Sequence, residues 1–388
     1  MLVNVLIPGA ANFQYLVPHL AELGVLNSFM YSHKLSSTPE SLGLQKGLGY
    51  NFWPKEYLTQ GHMKLIGWYG ADTFLPLYYR LWEMGVLRNL RPAPVTHLLL
   101  WGAGRQILKR VRADKGVSLG LVANSHPTDL NNLLSEEADS LGIKPRIMPR
   151  LRSRVLEEID LCDHFHAESQ FTRNSFIKNG FPADRIHVVS PGKDLNRFSP
   201  PTQKEADQRK NDKRFRVICV GALSLRKGQV HLLEAWRKLR LQNAELVLVG
   251  SETRDMRPLF AKYAGEFTYI RRAPELRPLL INSSIMVLPS IEDGHAHVVG
   301  EALACGLPVI TTVNTGSADY IKEGINGYVV PVASAQAIAE KLLVVYENPD
   351  LLESLHQGAQ ATIKTIGSWR DNAVKLAALY RKLAADGG

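Results

Sequence analysis

The sequence predicts an α/β protein made of two Rossmann-like, doubly wound domains. Three observations point there. At 388 residues the chain is long enough for two domains with substantial cores. Through its second half, short apolar runs alternate with helical stretches, the pattern of a parallel sheet wound by helices. Between the halves lies 201–214, PTQKEADQRKNDKR, charged and free of aromatics, which reads as an interdomain linker or a solvated loop.

Taken in order, Met1–Ile7 reads as a first strand, because it lacks the basic start and cleavage pattern of a signal peptide. The loop Ile7–Asn12 follows, then an amphipathic helix over Gln14–Leu23 ended by Gly24. Small residues in that loop let a ligand approach the backbone, so Gly9 is a candidate contact. The loop is not a G-x-G-x-x-G fingerprint and does not indicate NAD. Tyr31–Gly116 is irregular and rich in aromatics and proline; it is expected to form helices and loops. Leu119–Asn124 is an apolar strand stopped by Ser125-His126-Pro127, with Thr128 or Asp129 expected to cap the next helix. His126 therefore lies at a strand's carboxyl end, where clefts form in open sheets. It is a candidate site residue, with a structural turn histidine as the alternative. Strand Phe165–Ser169, helix Phe171–Lys178 and a strand from Ile186 finish the first half.

The second half opens with strand Phe215–Gly221, the loop Ala222–Gly228 and a helix over Val230–Arg240. Strands follow at Ala244–Ser251 and Glu266–Arg271, then a helix over Pro274–Asn282. Ile285–Leu288 is a continuous apolar run, as a strand buried on both faces requires. Pro289 and Ser290 stop it, an acidic loop Glu292-Asp293-Gly294 follows, and a helix starts at His297 or Val298. Gly306 and Pro308 end that helix before strand Val309-Ile310. Trp369–Leu383 is a last amphipathic helix.

Composition narrows the partners. The formal charge is +9, and the pI is about 9.3. Basic residues crowd Arg80–Lys115 (Arg88, Arg91, Arg105, Lys109, Arg110, Arg112), just after Trp68, Tyr69, Phe74, Tyr78, Tyr79 and Trp82. A basic and aromatic surface suits an anionic membrane interface; the alternative is a solvated helical face over buried rings. No nucleic-acid-binding module is visible, so no nucleic acid is expected as a partner. Three cysteines, Cys162, Cys219 and Cys305, form no disulfide framework and no metal spacing, which suits a reducing cytoplasm.

Two stretches carry chemistry. In the loop after Phe215–Gly221, Gly221 and Gly228 flank Arg226 and Lys227. Glycines let backbone N–H groups approach a diphosphate, and paired cations neutralise it without a metal. In the second stretch, Asp293 precedes the helix and Glu301 lies inside its start. A helix N-terminus with carboxylates beside it can hold an anion and accept from ribose or sugar hydroxyls. On the carboxylates alone, a helix-dipole role for Glu301 and a turn role for Asp293 explain the pattern equally well.

The whole string, LPSIEDGHAHVVGEALACGLPVITT over 288–312, resembles the signature of retaining glycosyltransferases of family 4, the glycogen-synthase-like group with the GT-B fold. Their pattern is a Glu, seven residues, a second Glu, then Ala-x-Ala-x-Gly-x-Pro-Val. Glu301–Val309 follows its second half, Asp293 stands at the first Glu with Glu292 beside it, and Gly294-His295-Ala296-His297 replaces the usual Gly-Phe-Gly. In the phosphate loop Lys227 matches the family lysine, Ala222 stands at the arginine position, and Arg226 is placed to supply the guanidinium. Gly192-Lys193-Asp194 stands where Gly-Val-Asp is usual, and Asp319 where Glu is common. The likeness covers nearly all of 150–385 and only loosely the first 120 residues.

The resemblance implies two domains facing across a cleft: an acceptor domain over 1–195, a nucleotide-sugar domain over 196–366, and a final helix in 367–388 packing back on the first. It implies transfer of a sugar, with retention, from a nucleotide diphosphate sugar to a glycan, lipid-linked or small-molecule hydroxyl. Lys227, Arg226, Asp293 and His126 are the expected catalytic group; Gly9, Gly221, Gly294, His295, Ala296, His297 and Glu301 are the expected donor contacts. Neither a metal nor a cofactor is expected, and the protein is expected in the cytoplasm or peripherally on a membrane. Two rivals stay open: a nucleotide-sugar epimerase, and a non-catalytic binding protein of the same fold.

Overall fold

The computed structural model describes residues 2–9, 12–67, 69–144, 148–254 and 256–386. Ala10 and Ala11 of the first loop, and Trp68, lie outside these. Among the described residues seven strands form the first sheet: β1 (Val3–Ile7), β2 (Leu26–Tyr31), β3 (Gly49–Asn51), β4 (Val95–Leu99), β5 (Val117–Val122), β6 (His164–Ala167) and β7 (Ile186–Val188). Their order is β3-β2-β1-β4-β5-β6-β7, all parallel. Six more strands form the second sheet: β8 (Phe215–Val220), β9 (Ala244–Val249), β10 (Thr268–Ile270), β11 (Ile285–Leu288), β12 (Val309–Thr312) and β13 (Gly327–Val330). Their order is β10-β9-β8-β11-β12-β13, again all parallel. In each sheet the winding reverses beside the first strand, between β1 and β4 and between β8 and β11. At such a reversal the connecting helices leave on opposite faces, and a crevice opens at the strands' carboxyl ends.

The first sheet carries α1 (Phe13–Glu22), α2 (Trp53–Leu65), α3 (Ala71–Asn89), α4 (Arg105–Ala113), α5 (Pro127–Ser140), α6 (Pro149–Leu161) and α7 (Gln170–Lys178). After α8 (Gln203–Asn211), the second sheet carries α9 (Gln229–Leu239), α10 (Arg257–Ala261), α11 (Arg277–Ile281), α12 (His297–Ala304), α13 (Ala335–Glu347) and α14 (Pro349–Ile366). The last helix, α15 (Trp369–Asp386), returns to the first domain. There Leu376, Tyr380 and Leu383 pack with Val3, Val5 and Ile7 of β1, and the Tyr380 hydroxyl lies 2.8 Å from His97 Nδ1.

Burial on both sheet faces explains the apolar strands. Val3, Val5 and Ile7 enter one core while Leu6 enters the opposite one with Trp82. Val217 and Cys219 of β8 likewise face one core and Ile218 the other. Side chains alternate across a strand, so a sheet covered on both sides needs apolar residues at nearly every position.

Three expectations are corrected. The charged stretch 201–214 is not an extended linker: α8 forms over Gln203–Asn211, started by a capping box between Thr202 and Glu205. Glu205 then pairs with Arg277 at 2.8 Å and anchors α8 to α11. Tyr31–Gly116 is not helices and loops alone, because β4 lies at the middle of the first sheet beside β1. Finally, α5 is capped by His126, whose ring accepts the Thr128 N–H, because Pro127 takes the first helical position.

The two passages between the domains run side by side. The Lys193 N–H donates to the Gly367 carbonyl at 3.2 Å, and the Asn372 amide donates to the Ser190 carbonyl at 2.8 Å. Gly192 is required here, because a Cβ would fall 2.4 Å from the Trp369 backbone. The three cysteines are free and buried.

Candidate active site

The cationic loop leaves β8 and the acidic loop leaves β11, the two strands that flank the reversal in the second sheet. They are bound together. The Ile291 N–H donates to the Arg226 carbonyl at 2.9 Å. Gly228, at φ 60°, brings its Cα against Pro289; an added Cβ would lie 2.2 Å from the Pro289 carbonyl oxygen. Gly228 also starts α9, so the glycine serves both the turn and the close approach. Gly221 is left-handed as well, with φ 149°.

This packing sets four charges face to face. Lys227 is ion-paired with Asp293. The Arg226 guanidinium reaches the Glu292 carboxylate at 3.2 Å and Asp293 at 3.5 Å. Burial opposes the Arg226 charge, but Asp293 and Glu292 outweigh it and raise its pKa. Glu292 is fully buried; burial raises its pKa, and Arg226 opposes that shift. Its other carboxylate oxygen accepts the Ser125 N–H of the first domain at 2.8 Å. Glu292 is thus a strut between the domains and not a substitute for Asp293 in holding a ligand.

Gly294 continues that contact. Its carbonyl accepts the Ser169 hydroxyl at 2.6 Å, and a Cβ there would stand 2.1 Å from the Ala123 carbonyl oxygen. Ala296 is buried and its carbonyl accepts the Ser317 hydroxyl at 2.8 Å. The structure does not bring His126 to this group. Its Nδ1 is committed to the Thr128 N–H at 3.3 Å, and its ring packs edge-on against Phe176 at 5.2 Å. Burial lowers its pKa. Gly9 lies two residues beyond the end of β1, with open space on its Cβ side.

Beyond the acidic loop lies a second cluster. His295 and His297 each place a ring nitrogen 3.4 Å from the Lys193 ammonium. Asn12 of the first domain reaches the other nitrogen of His297 at 2.8 Å. Burial, reinforced by Lys193, depresses the His297 pKa to about 3 and holds His295 well below the usual histidine range. Both rings are therefore neutral at pH 7. Glu168 is pushed up to about 7 by burial, against the pull of Lys193. Glu301 is also raised by burial. It does not meet Asp293's partners; it lines a cavity of about 190 Å³ with Lys193, Arg197, His297, Tyr15 and Trp369. Among the described residues no group of three or more His, Cys, Asp or Glu has a metal-holding arrangement.

Asn12, Glu168 and Trp369 escape a motif search because each reaches the site from a distant segment. Lys193 does leave a trace, as a cation in a place otherwise given to an apolar residue.

Two facing Rossmann-like domains with paired cations and carboxylates at the second domain's reversal define a GT-B protein. Residues 202–362 match the model of the family Glycosyl transferases group 1. It is 28% identical over 180 residues to the putative colanic acid biosynthesis glycosyltransferase WcaL of Escherichia coli, covering 42% of this chain and 43% of that one. The match therefore spans under half the length of that relative. It is 26% identical over 336 residues to D-inositol 3-phosphate glycosyltransferase 1 of Catenulispora acidiphila, covering 81% and 78%. Among solved structures, HepE of Anabaena in complex with UDP and glucose superimposes with a TM-score of 0.67 at 14% identity, over 97% of this chain and 98% of that one. Sucrose-phosphate synthase from Thermosynechococcus elongatus gives 0.71 at 17% identity over the full length of both. These likenesses show the fold.

Proposed function

We propose that the chain transfers a sugar from a nucleotide diphosphate sugar to a hydroxyl acceptor, with retention at the anomeric carbon. The observation that carries this reading is the pairing of Lys227 and Arg226 with Asp293 and Glu292 where the second sheet reverses. As the donor's carbon–oxygen bond breaks, the diphosphate gains negative charge and the sugar gains oxocarbenium character. Lys227, Arg226 and the N-terminal N–H groups of α12 stabilise the leaving diphosphate, and two adjacent cations make a metal unnecessary for that task. Asp293 turns to the sugar hydroxyls, and Glu301 accepts from the ribose. Retention rests on the resemblance to family 4, and no protein nucleophile is assigned.

Uridine is the first base to test, because HepE was crystallised with UDP. A glycan, lipid-linked or small-molecule acceptor would enter from the first domain; the name of the colanic acid relative favours a polysaccharide setting. No helix of the described residues is long and apolar enough to cross a membrane. Peripheral binding to anionic lipid, from the cytoplasm, is supported by α2, α3 and the turn between them. Leu65 and Tyr69 are more than 80% exposed there, and Leu77 and Met84 about half exposed. The basic residues of α4 contribute less than their number suggests, since Arg105 pairs with Glu157 and Arg110 with Asp114.

The test is thermal stabilisation by UDP, GDP, ADP and their sugar conjugates, with and without EDTA. A ligand at ~100 times its dissociation constant adds about 2.7 kcal/mol to the folded state. A shift with one nucleotide, kept in EDTA and lost in Lys227→Ala, supports the proposal. No shift with any nucleotide, with and without candidate acceptors, favours a non-catalytic protein.

A further inference from the structure

The proposed reaction assigns a donor site and leaves the acceptor's chemistry open. The first domain has a crevice of its own. Beyond the carboxyl ends of β4 and β5, between α5 and α6, lies a cavity of about 250 Å³. It stands next to the reversal of the first sheet between β1 and β4, where open α/β sheets bind ligands. Its walls include Leu100, Val122, Leu151, Ile159 and Phe176, all buried members of that domain's core. The cavity is therefore a breach in the core and not a groove on the surface. Packed interiors leave few voids larger than a water molecule, and an apolar cavity of ~150 Å³ can hold a benzene ring. Lys227, Arg226, Asp293 and Glu301, the residues given to the donor, do not line it.

The cavity adjoins the proposed reaction centre. Ala123, Asn124 and Ser125 form part of its lining. The same strand end carries the contact between the domains: the Ser125 N–H donates to Glu292, and Gly294 lies against the Ala123 carbonyl. A group held in the cavity is thus separated from the acidic loop only by residues 123–125. One cation also lines the cavity, Arg152 in the first turn of α6. Its Nε is buried and has no hydrogen-bond partner among the described residues. Two positions on, Arg154 is committed, to the Gly102 carbonyl at 2.7 Å and to Glu83 at 3.3 Å. Buried donors ordinarily have partners, so the unmatched nitrogen of Arg152 asks for one.

We propose that this cavity takes the apolar chain of a lipid-linked acceptor, with the phosphate that ends the chain held by Arg152. This rests on the sugar-transfer reading and deepens it by choosing among acceptors. Core side chains such as Leu151, Ile159 and Phe176 offer no partners to the hydroxyls of a free glycan, and burying a hydroxyl unpaired is unfavourable. A neutral aromatic alcohol would fill the space and leave Arg152 unmatched. An apolar chain ending in an anion meets both, and a guanidinium suits phosphate. The exposed apolar face of α2 and α3 belongs to the same domain, so the membrane contact proposed above and this cavity would serve one substrate.

The test is calorimetric titration of the full chain with geranyl phosphate, geraniol, methyl phosphate and benzyl glucoside, with and without UDP. The wild type is expected to bind geranyl phosphate at least tenfold tighter than either geraniol or methyl phosphate. That binding should carry the negative heat-capacity change of apolar burial, and UDP should not displace it, because the donor's cations lie elsewhere. Val155→Phe fills the cavity from α6 and should erase the advantage over methyl phosphate. Leu130→Phe fills it from α5 and takes its place if Val155→Phe fails to fold. Arg152→Met should erase the advantage over geraniol. The wild-type comparisons decide without any variant. Equal affinities across the set, displacement by UDP, or benzyl glucoside binding tighter than geranyl phosphate would each overturn the proposal. So would a chain advantage that survives in a folded variant with the cavity filled. Nucleotide binding without a preference for geranyl phosphate sinks this inference alone. That preference without binding of any nucleotide sinks the sugar-transfer reading and leaves the cavity's occupant.

Discussion

Replacing Lys227 by alanine separates a structural lysine from one that works on the leaving group. Lys227 and Asp293 are paired with side chains 13% and 7% exposed. Orphaning a buried charge ordinarily costs ~3–5 kcal/mol, but Asp293 keeps Arg226 at 3.5 Å. The expected loss of stability in Lys227→Ala is therefore smaller, about 1–2 kcal/mol. The proposed reaction has no such reserve, because the departing diphosphate would lose one of its two loop cations. A charge-assisted hydrogen bond contributes ~1.5–3 kcal/mol, so turnover should fall at least tenfold and up to ~100-fold. Asp293→Asn supplies the converse: it frees Lys227, so UDP should bind more tightly while sugar transfer falls. Urea denaturation, UDP titration and steady-state release of nucleotide from the donor read the three quantities. Wild-type kcat/KM in Lys227→Ala, or a loss matched by its unfolded fraction, would refute the reasoning.

Other positions can be tested independently. Gly294→Ala places a Cβ 2.1 Å from the Ala123 carbonyl oxygen; the clash crosses the cleft, so X-ray scattering should show separated domains and activity should drop at least tenfold (~1.4 kcal/mol), and an unchanged radius of gyration would count against it. His126→Ala should cost about 1 kcal/mol of stability as a lost helix cap, whereas His126→Asn keeps a cap and should retain turnover; a hundredfold fall in kcat for His126→Asn would return this histidine to the chemistry. Glu168, held up to about 7 by burial, binds its proton in the folded state, so its contribution is full below the ordinary pKa near 4.5 and is lost as pH rises through 7. Glu168→Gln should therefore gain ~1–3 kcal/mol on the wild type between pH 5 and 8, and parallel stability curves would disprove the shift. Replacing Leu65 and Tyr69 by serine should reduce sedimentation with phosphatidylserine-containing vesicles severalfold while leaving turnover on soluble substrates intact; undiminished sedimentation would remove this face as the lipid contact.

What could be read from the sequence follows from how local each signal is. The second domain was legible because its strands are buried on both faces and its two chemical loops lie next to them in sequence, at Arg226-Lys227 and Glu292-Asp293. β4 is not, since VTHLL follows a proline-rich stretch and places a histidine inside an apolar run; His97 is buried with partners at both ring nitrogens, Tyr380 from the far end of the chain and His166 from β6. The helix α8 resembles a linker in sequence because its residues are almost all polar; what makes it helical is a local capping box and one distant arginine, Arg277. For Asp293 and Glu301, sequence placed both carboxylates near one helix end. It carried no information on the partners that divide them, Lys227 for one and the cavity beside Lys193 for the other.

The same division bears on how the cleft accommodates so much charge. Arg226 and Lys227 are matched by Glu292 and Asp293, His295 and His297 are neutral, and Glu168 is pushed toward its protonated form. The charges of the two loops therefore cancel among side chains, and the Ser125 and Ser169 bonds can hold the domains together. In the proposed reaction a donor brings both halves of the exchange at once. Its diphosphate replaces Asp293 beside Lys227, and its hydroxyls replace Lys227 beside Asp293, so neither charge is left buried and alone. A nucleotide without its sugar supplies only the first half and leaves Asp293 with Arg226. Full closure should then need the intact donor, and the carboxylate at the position of the family's first Glu becomes the group that reports whether a sugar is present.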